Sequence, residues 1–358
     1  MIEQHSIAIT PKYNFPHLTM DTALPQKLVE QCIITLKHVQ KHPFQLNQQD
    51  FQQTDNMNPQ HIRLKPQPIN LKPNPASIVI AGCDTSTMKI GETSTGILVA
   101  IRGANVWKQD KKYHYHRLGP FIFHITEENK REVYSTLEKT YFPAAREQSN
   151  HSFLTLPQMP MRIAALLEKW LQLTLAKTIT NGIILFDGSL TAGTPDNPIS
   201  HAKEILSNAT ERGNIILAFS KMTSLRVNNY LVTDLSADCK PPCLLETSGL
   251  RSKPPIVLLG DVYVAKLAYG KYAFRVDVSK DVPLGVRLEA FEKLLGNDAL
   301  VQGYPETLRL AHVLCTFTAN EVIAMQHFAV HKFRLKIINR PDMHRVLFGM
   351  FGGGDYYS

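Results

Sequence analysis

Residues 181–190 read NGIILFDGSL: an apolar run of strand length that ends in Asp187, Gly188 and Ser189. Immediately before it, residues 161–177 (MRIAALLEKWLQLTLAK) hold neither Gly nor Pro. Ala164, Leu167, Leu171 and Leu175 recur there at helical spacing, which predicts an amphipathic helix. After it, a helix is expected over 201–212, and NIILAFSK (214–221) supplies another strand. A helix between two apolar strands marks a βαβ crossover, and hence a parallel pair.

Working back from that unit, IVIAGCDTS (78–86), TGILVAIRGANVW (95–107) and YHYHRLGPFIFHIT (113–126) are three strand candidates in succession. They predict an antiparallel meander. Working forward, PPIVLLGDVYVAKLA (254–268) and YAFRVDVS (272–279) add strands, and a further helix is expected over 305–315. The fold class is therefore α/β, a mixed sheet flanked by helices. Residues 76–358 form its domain. Residues 1–75 read as an arm: one helix with Leu28, Cys32 and Leu36 on a single stripe, then a Gln- and Pro-rich extended stretch over 45–75.

The whole chain has 358 residues, 44% of them apolar, enough for a sizeable core. A formal net charge of +8 and a pI of about 9.1 make a polyanionic partner plausible. Five scattered cysteines do not form a disulfide framework, so a reducing cytoplasm is expected. Cys239 and Cys243, in DCKPPC, lack the second pair that a zinc ribbon needs and read as a proline-rich loop. No signal peptide and no membrane span are expected, since the apolar runs have strand length.

Two of the best strands deliver an aspartate, Asp84 and Asp187, each followed by small residues. That is the support a metal-binding carboxylate needs, although Asp-Gly and Asp-Ser also simply end strands as turns and caps. Glu168, nineteen residues before Asp187, falls beside the apolar stripe of its helix, where a carboxylate calls for a metal ion or for a Lys or Arg partner, unless it is simply exposed at the stripe's edge. Glu92, in KIGETS, is the competing third acid. In GYPETLRLAH (303–312), Tyr304 and His312 stand eight residues apart. A lone His near Leu and Ala residues is usually a hydrogen-bonded core residue, and the neighbours of His312 do not decide between that and a site residue. Lys221, Arg226, Lys266 and Arg275, near strand ends, are candidate contacts to a phosphate backbone. The basic run 331–345 is a solvated surface or a DNA-contacting edge.

In order, GCDTS, LLEKW, LFDGSL, AFSKMTSLR and GYPETLRLAH resemble the NurA nuclease family, DNA-end-processing enzymes that work with the HerA ATPase. The resemblance spans residues 76 to about 330 and implies a ribonuclease H-like core. It implies Asp84, Glu168, Asp187 and His312 as metal ligands for Mn²⁺ or Mg²⁺, two ions in all, with Tyr304 beside them and Lys221 against phosphate. It also implies a deoxyribonuclease with 5′-to-3′ exonuclease and single-strand endonuclease activity, a homodimer, and a HerA-like hexameric ATPase as partner. The chain departs from the family at Thr85, where Gly is commoner, and in a long insertion between Asp84 and Glu168. Two other functions compete. One is a catalytically weak DNA-binding subunit that recruits an ATPase. The other is an actin-like or sugar-kinase-like ATPase, whose first phosphate loop GCDTSTMKIGETSTG faintly imitates.

Overall fold

A computed structural model describes residues 23–37, 63–64, 68–143, 155–194, 197–227, 230–248, 250, 252 and 254–338. Three long strands, β1 (Ile80–Glu92), β2 (Gly96–Gln109) and β3 (Lys112–Thr126), form the expected antiparallel meander. Helices α2 (Lys130–Tyr141) and α3 (Met159–Thr178) follow, after the arm helix α1 (Ala23–Lys37). Next, β4 (Ile183–Asp187), α4 (Ile199–Glu211) and β5 (Ile215–Ser220) make the crossover. The strands β6 (Cys243–Ser248), β7 (Gly260–Lys266) and β8 (Phe274–Ser279) and the helices α5 (Leu284–Asn297), α6 (Glu306–Cys315) and α7 (Ala319–Phe333) complete the chain.

The sheet order is β6-β7-β8-β5-β4-β1-β2-β3. β1, β4 and β5 run parallel, and every other pairing is antiparallel. A meander whose first strand pairs in parallel with β4, which pairs in parallel with β5 in turn, is the ribonuclease H-like arrangement. At the β6 edge, the short strands Arg63–Leu64 and Ile69–Asn70 also pair with β6.

The alternation of side chains along the central strands divides the core. Ala81, Cys83, Ile184, Phe186, Ile216 and Ala218 point to one face, under α1 to α4. Ile80, Ile183, Leu185, Leu217 and Phe219 point to the other, under α5 and α6. Both faces are covered, which is why these strands read as unbroken apolar runs rather than alternating ones. Leu28 and Cys32 of α1 are buried in the first layer. No helix among the described residues is long and apolar enough to cross a membrane.

Several local expectations change. Asp84 does not end a strand: the apolar run stops there, but β1 continues to Glu92, held by β2. The stretch 254–268 breaks at Leu259 into Val257–Leu258, paired with Thr191–Ala192, and β7. The DCKPPC segment leads directly into β6, with Cys243 buried as its first residue. Helices α2, α5 and α7 were not anticipated. The capping box of Thr318 and Glu321 starts α7, and the buried Arg102 clamps it by donating to Glu321 and to the Thr316 carbonyl. The basic run 331–345 begins as the end of α7, and its residues 339–345 lie outside the described set.

One buried ion pair fixes the loop after β4. Arg275 donates to both Asp277 oxygens at 2.7 Å, and Asp277 also accepts from the Leu190 amide at 3.0 Å. Asp277 is fully buried, so removing it strands a guanidinium and an amide. Asp277→Ala should therefore cost about 3–5 kcal/mol in urea unfolding, and Arg275→Met with Asp277→Leu should cost less. A double variant less stable than Asp277→Ala would contradict this.

Candidate active site

The parallel register of β1 and β4 runs Ile80 to Ile183, Ala81 to Ile184 and Gly82 to Leu185. Continued two residues, it sets Asp84 opposite Asp187 on neighbouring strands, whose spacing is about 4.8 Å. The two sequence-predicted aspartates therefore share one sheet position. Gly82 permits the helix above them to come close: a Cβ there would meet Leu308 Cδ2 of α6 at 2.9 Å and the Leu185 carbonyl at 3.2 Å. One turn beyond Leu308, His312 places Nδ1 2.7 Å from Asp84 Oδ2, while the Thr85 amide donates to Oδ1 at 2.7 Å.

Asp187 ends β4. Lys221, one residue past β5, places Nζ 2.6 Å from Asp187 Oδ2 and 5.5 Å from the centre of the Tyr304 ring. Burial pushes the Asp187 carboxyl up, and Lys221 pulls it back. Gly188 has φ +123°, a conformation other residues resist, and has nothing within 4 Å of an added Cβ. The aspartate is thus bordered by open space. Beside it, Asp187, Gly188, Ser189, Lys221, Thr223 and Arg275 line a cleft of about 490 Å³.

Glu168 comes from α3, which Thr85 fastens to β1 by donating from Oγ1 to the Ala164 carbonyl at 3.2 Å. Burial raises its carboxyl to about 7, and the charges of Asp84 and Asp187 add to the rise against the pull of Lys169. The position of Glu168 is fixed by a relay. Lys169 donates to Gln172 Oε1 at 3.1 Å, and Gln172 Nε2 donates to Glu168 Oε1 at 3.0 Å. Glu92 is eight residues along β1 from Asp84, about 26 Å at strand spacing, and pairs with Lys89. The three acids brought together are thus Asp84, Glu168 and Asp187.

Tyr304 packs against Phe219 and Phe274. Burial and the nearby Asp187 and Asp84 carboxylates hold its proton firmly. Its hydroxyl is buried near Asp187 without a hydrogen bond of normal geometry, an orphaned polar atom within the acidic site.

Two predicted phosphate contacts are turned inward. Lys266 is buried and donates to the carbonyls of Ser236 and Ala237. Arg275 edges the cleft but is committed to Asp277. Arg226 opens the short strand Arg226–Val227, and its side chain lies outside the described residues.

Cys315 went unread in the sequence, although its three-residue offset from His312 puts both on one helix face. Among the described residues, Asp84, His312 and Cys315 form the group whose ligand atoms all lie within 4.8 Å of one another. Glu168 and Asp187 stay outside that limit, each engaged by its own partner, Gln172 and Lys221. Burial raises the Cys315 thiol to about 12, and its sulfur donates to the His312 carbonyl at 3.2 Å.

The chain is similar to the NurA nuclease from Sulfolobus solfataricus. The TM-score is 0.48 at 14% identity, over 75% of this chain and 88% of that one. A second solved structure, that of A. aeolicus Argonaute, is similar with a TM-score of 0.29 at 8% identity, over 69% of this chain and 29% of the other. No protein-family model and no curated protein matches the sequence.

Glu168 ionises near 7 in the folded chain and near 4.5 otherwise. The folded state holds this proton more tightly, so its stabilising share is whole below about pH 4.5 and is lost as pH rises through about 7. Without divalent ions, Glu168→Gln should therefore raise the urea midpoint above wild type at about pH 8 and leave it close to wild type at about pH 4.5. A variant weaker than wild type at the higher pH would rule out a destabilising charge at this position.

Proposed function

We propose that the chain is a divalent-metal-dependent deoxyribonuclease that hydrolyses phosphodiester bonds during DNA-end processing. The observation that carries this reading is the convergence of Asp84 and Asp187, just past the paired ends of parallel strands, on Glu168, whose carboxyl is raised to about 7 by burial and by both charges. Three acids on separate elements, sharing one electrostatic field, are stabilised best by a cation. The donor set fits hard ions such as Mg²⁺ or Mn²⁺, two of them on the family pattern, with His312 as a further ligand. The orphaned Tyr304 hydroxyl and the open space at Gly188 fit the same site.

Bound ions would supply neutralisation of the charge that builds on the phosphate and the leaving oxygen. The chain's own residues supply the rest. Asp84, Glu168 and Asp187 would hold the ions, and the hydrogen bonds from Thr85 and Gln172 keep the Asp84 and Glu168 carboxylates oriented. Lys221, paired with Asp187 and with its side chain 42% exposed at the cleft, is placed to contact a phosphate oxygen of the substrate. His312 keeps Nδ1 on Asp84, which leaves its other ring nitrogen either to hold an ion or to trade a proton with substrate or water. Tyr304, which keeps its proton, would donate a hydrogen bond to an oxygen in the site.

The net charge of +8 supports binding along the DNA backbone, and no base-reading motif is found in the sequence, so cutting independent of sequence is expected. By the resemblance of its motifs, the protein acts as a homodimer in the cytoplasm. The same resemblance gives it 5′-to-3′ exonuclease and single-strand endonuclease activity and docks it on a HerA-like hexameric ATPase.

On labelled linear and circular DNA with Mn²⁺, Asp84→Ala and Asp187→Ala should each cut at least about a hundredfold more slowly while remaining folded. His312→Ala should lose most of the activity. Full-rate degradation by purified Asp187→Ala would refute the site, and chelator-resistant cleavage by wild type would refute its dependence on metal.

A further inference from the structure

We propose that Asp84, His312 and Cys315 form a second, thiophilic cation site, for Zn²⁺ or Cd²⁺, whose occupation takes Asp84 away from the hard ions. One carboxylate oxygen, one imidazole nitrogen and one sulfur lie within 4.8 Å of one another. They come from two elements of the fold. His312 and Cys315 share a face of α6, and Asp84 reaches them from β1, with Nδ1 already 2.7 Å from Oδ2. Zinc bonds of about 2.0–2.3 Å set ligand-to-ligand edges of roughly 3.3–3.8 Å in a tetrahedron. Shifts of about an ångström would therefore seat the ion. The His312 side chain, 53% exposed, is free to make that shift, while the buried Cys315 provides the fixed point.

A mixed oxygen, nitrogen and sulfur set with three protein ligands and a fourth position open is characteristic of zinc, and it disfavours Mg²⁺ and Mn²⁺. On binding, the Cys315 S–H bond breaks, its proton passes to solvent, and the sulfur coordinates as thiolate in place of donating to the His312 carbonyl. Cys239 and Cys243 offer no comparable third ligand among the described residues. Because Asp84 serves both sets, a thiophilic ion and the hard ions exclude each other. That exclusion makes zinc an inhibitor of cleavage. The inhibition rests on the nuclease reading, whereas the cation site itself does not.

Titration of the full-length, metal-free protein with Co²⁺ or Cd²⁺ alone tests the site through the near-ultraviolet thiolate-to-metal charge-transfer band. The band should saturate at one ion per chain, vanish in Cys315→Ser and in Asp84→Asn, and persist in Cys239→Ser/Cys243→Ser. Absence of a band in wild type, or its survival in Cys315→Ser, overturns the proposal. Should Cys315→Ser fail to fold, the Cys239→Ser/Cys243→Ser protein decides, since loss of the band there places the thiolate elsewhere. In Mn²⁺-supported cleavage, each variant normalised to its own zinc-free rate, Cys315→Ser should need over about tenfold more Zn²⁺ for half-inhibition, since even an outer-shell partner is worth that much. An intact band together with no Mn²⁺-supported cleavage would uphold the cation site and count against the nuclease reading.

Discussion

The parallel register of β1 and β4, unshifted from Ile80–Ile183 to Gly82–Leu185, carries Asp84 and Asp187 to the same end of the sheet, and the rest of the site depends on that pairing. Two carboxylates on adjacent strands repel across a few ångströms of partly buried space. The surroundings answer with partners: His312 and the Thr85 amide for Asp84, and Lys221 for Asp187. Each partner stands on a different element, so the charges can be balanced only when α6, β1 and β5 are all in place. The fold is thereby coupled to the chemistry. A register slip of one residue would turn one of the aspartates to the opposite face of the sheet.

The apolar layers hold that geometry. Leu308 closes on Gly82 from one side, and α3 is fastened from the other by Thr85, so the sheet is gripped between two helices at the level of the acids. The Arg275–Asp277 pair ties β8 to the Leu190 amide and orients the turn through which Gly188 opens the cleft. None of these groups needs to meet substrate, yet each sets where a site residue sits.

Much of this was legible in the sequence where one principle acted alone. Unbroken apolar runs marked β4 and β5, and four-residue spacing marked α3. An aspartate after each of two such runs marked the candidate site. What escaped depended on partners distant in the chain. The long tail of β1 beyond Asp84 is polar and partly exposed, and only its pairing with β2 makes it strand. Lys266 and Arg275 look like free cations until Ser236, Ala237 and Asp277 arrive to accept their hydrogen bonds. The choice between Glu168 and Glu92 turned on the direction of a single strand. By contrast, α7 carried its own signal in Thr318 and Glu321, and α2 in Val133, Leu137 and Tyr141, so local reading had enough to find both.

The central claim is that the acids converge as a cation cradle, and calorimetric titration of Mn²⁺ into the full chain tests it most directly. At about pH 6.5 wild type should bind with an enthalpy that varies with the buffer, because Glu168 sheds its proton as the ion enters, and Asp84→Asn/Asp187→Asn should not bind. Equal Mn²⁺ binding by both proteins would contradict the account.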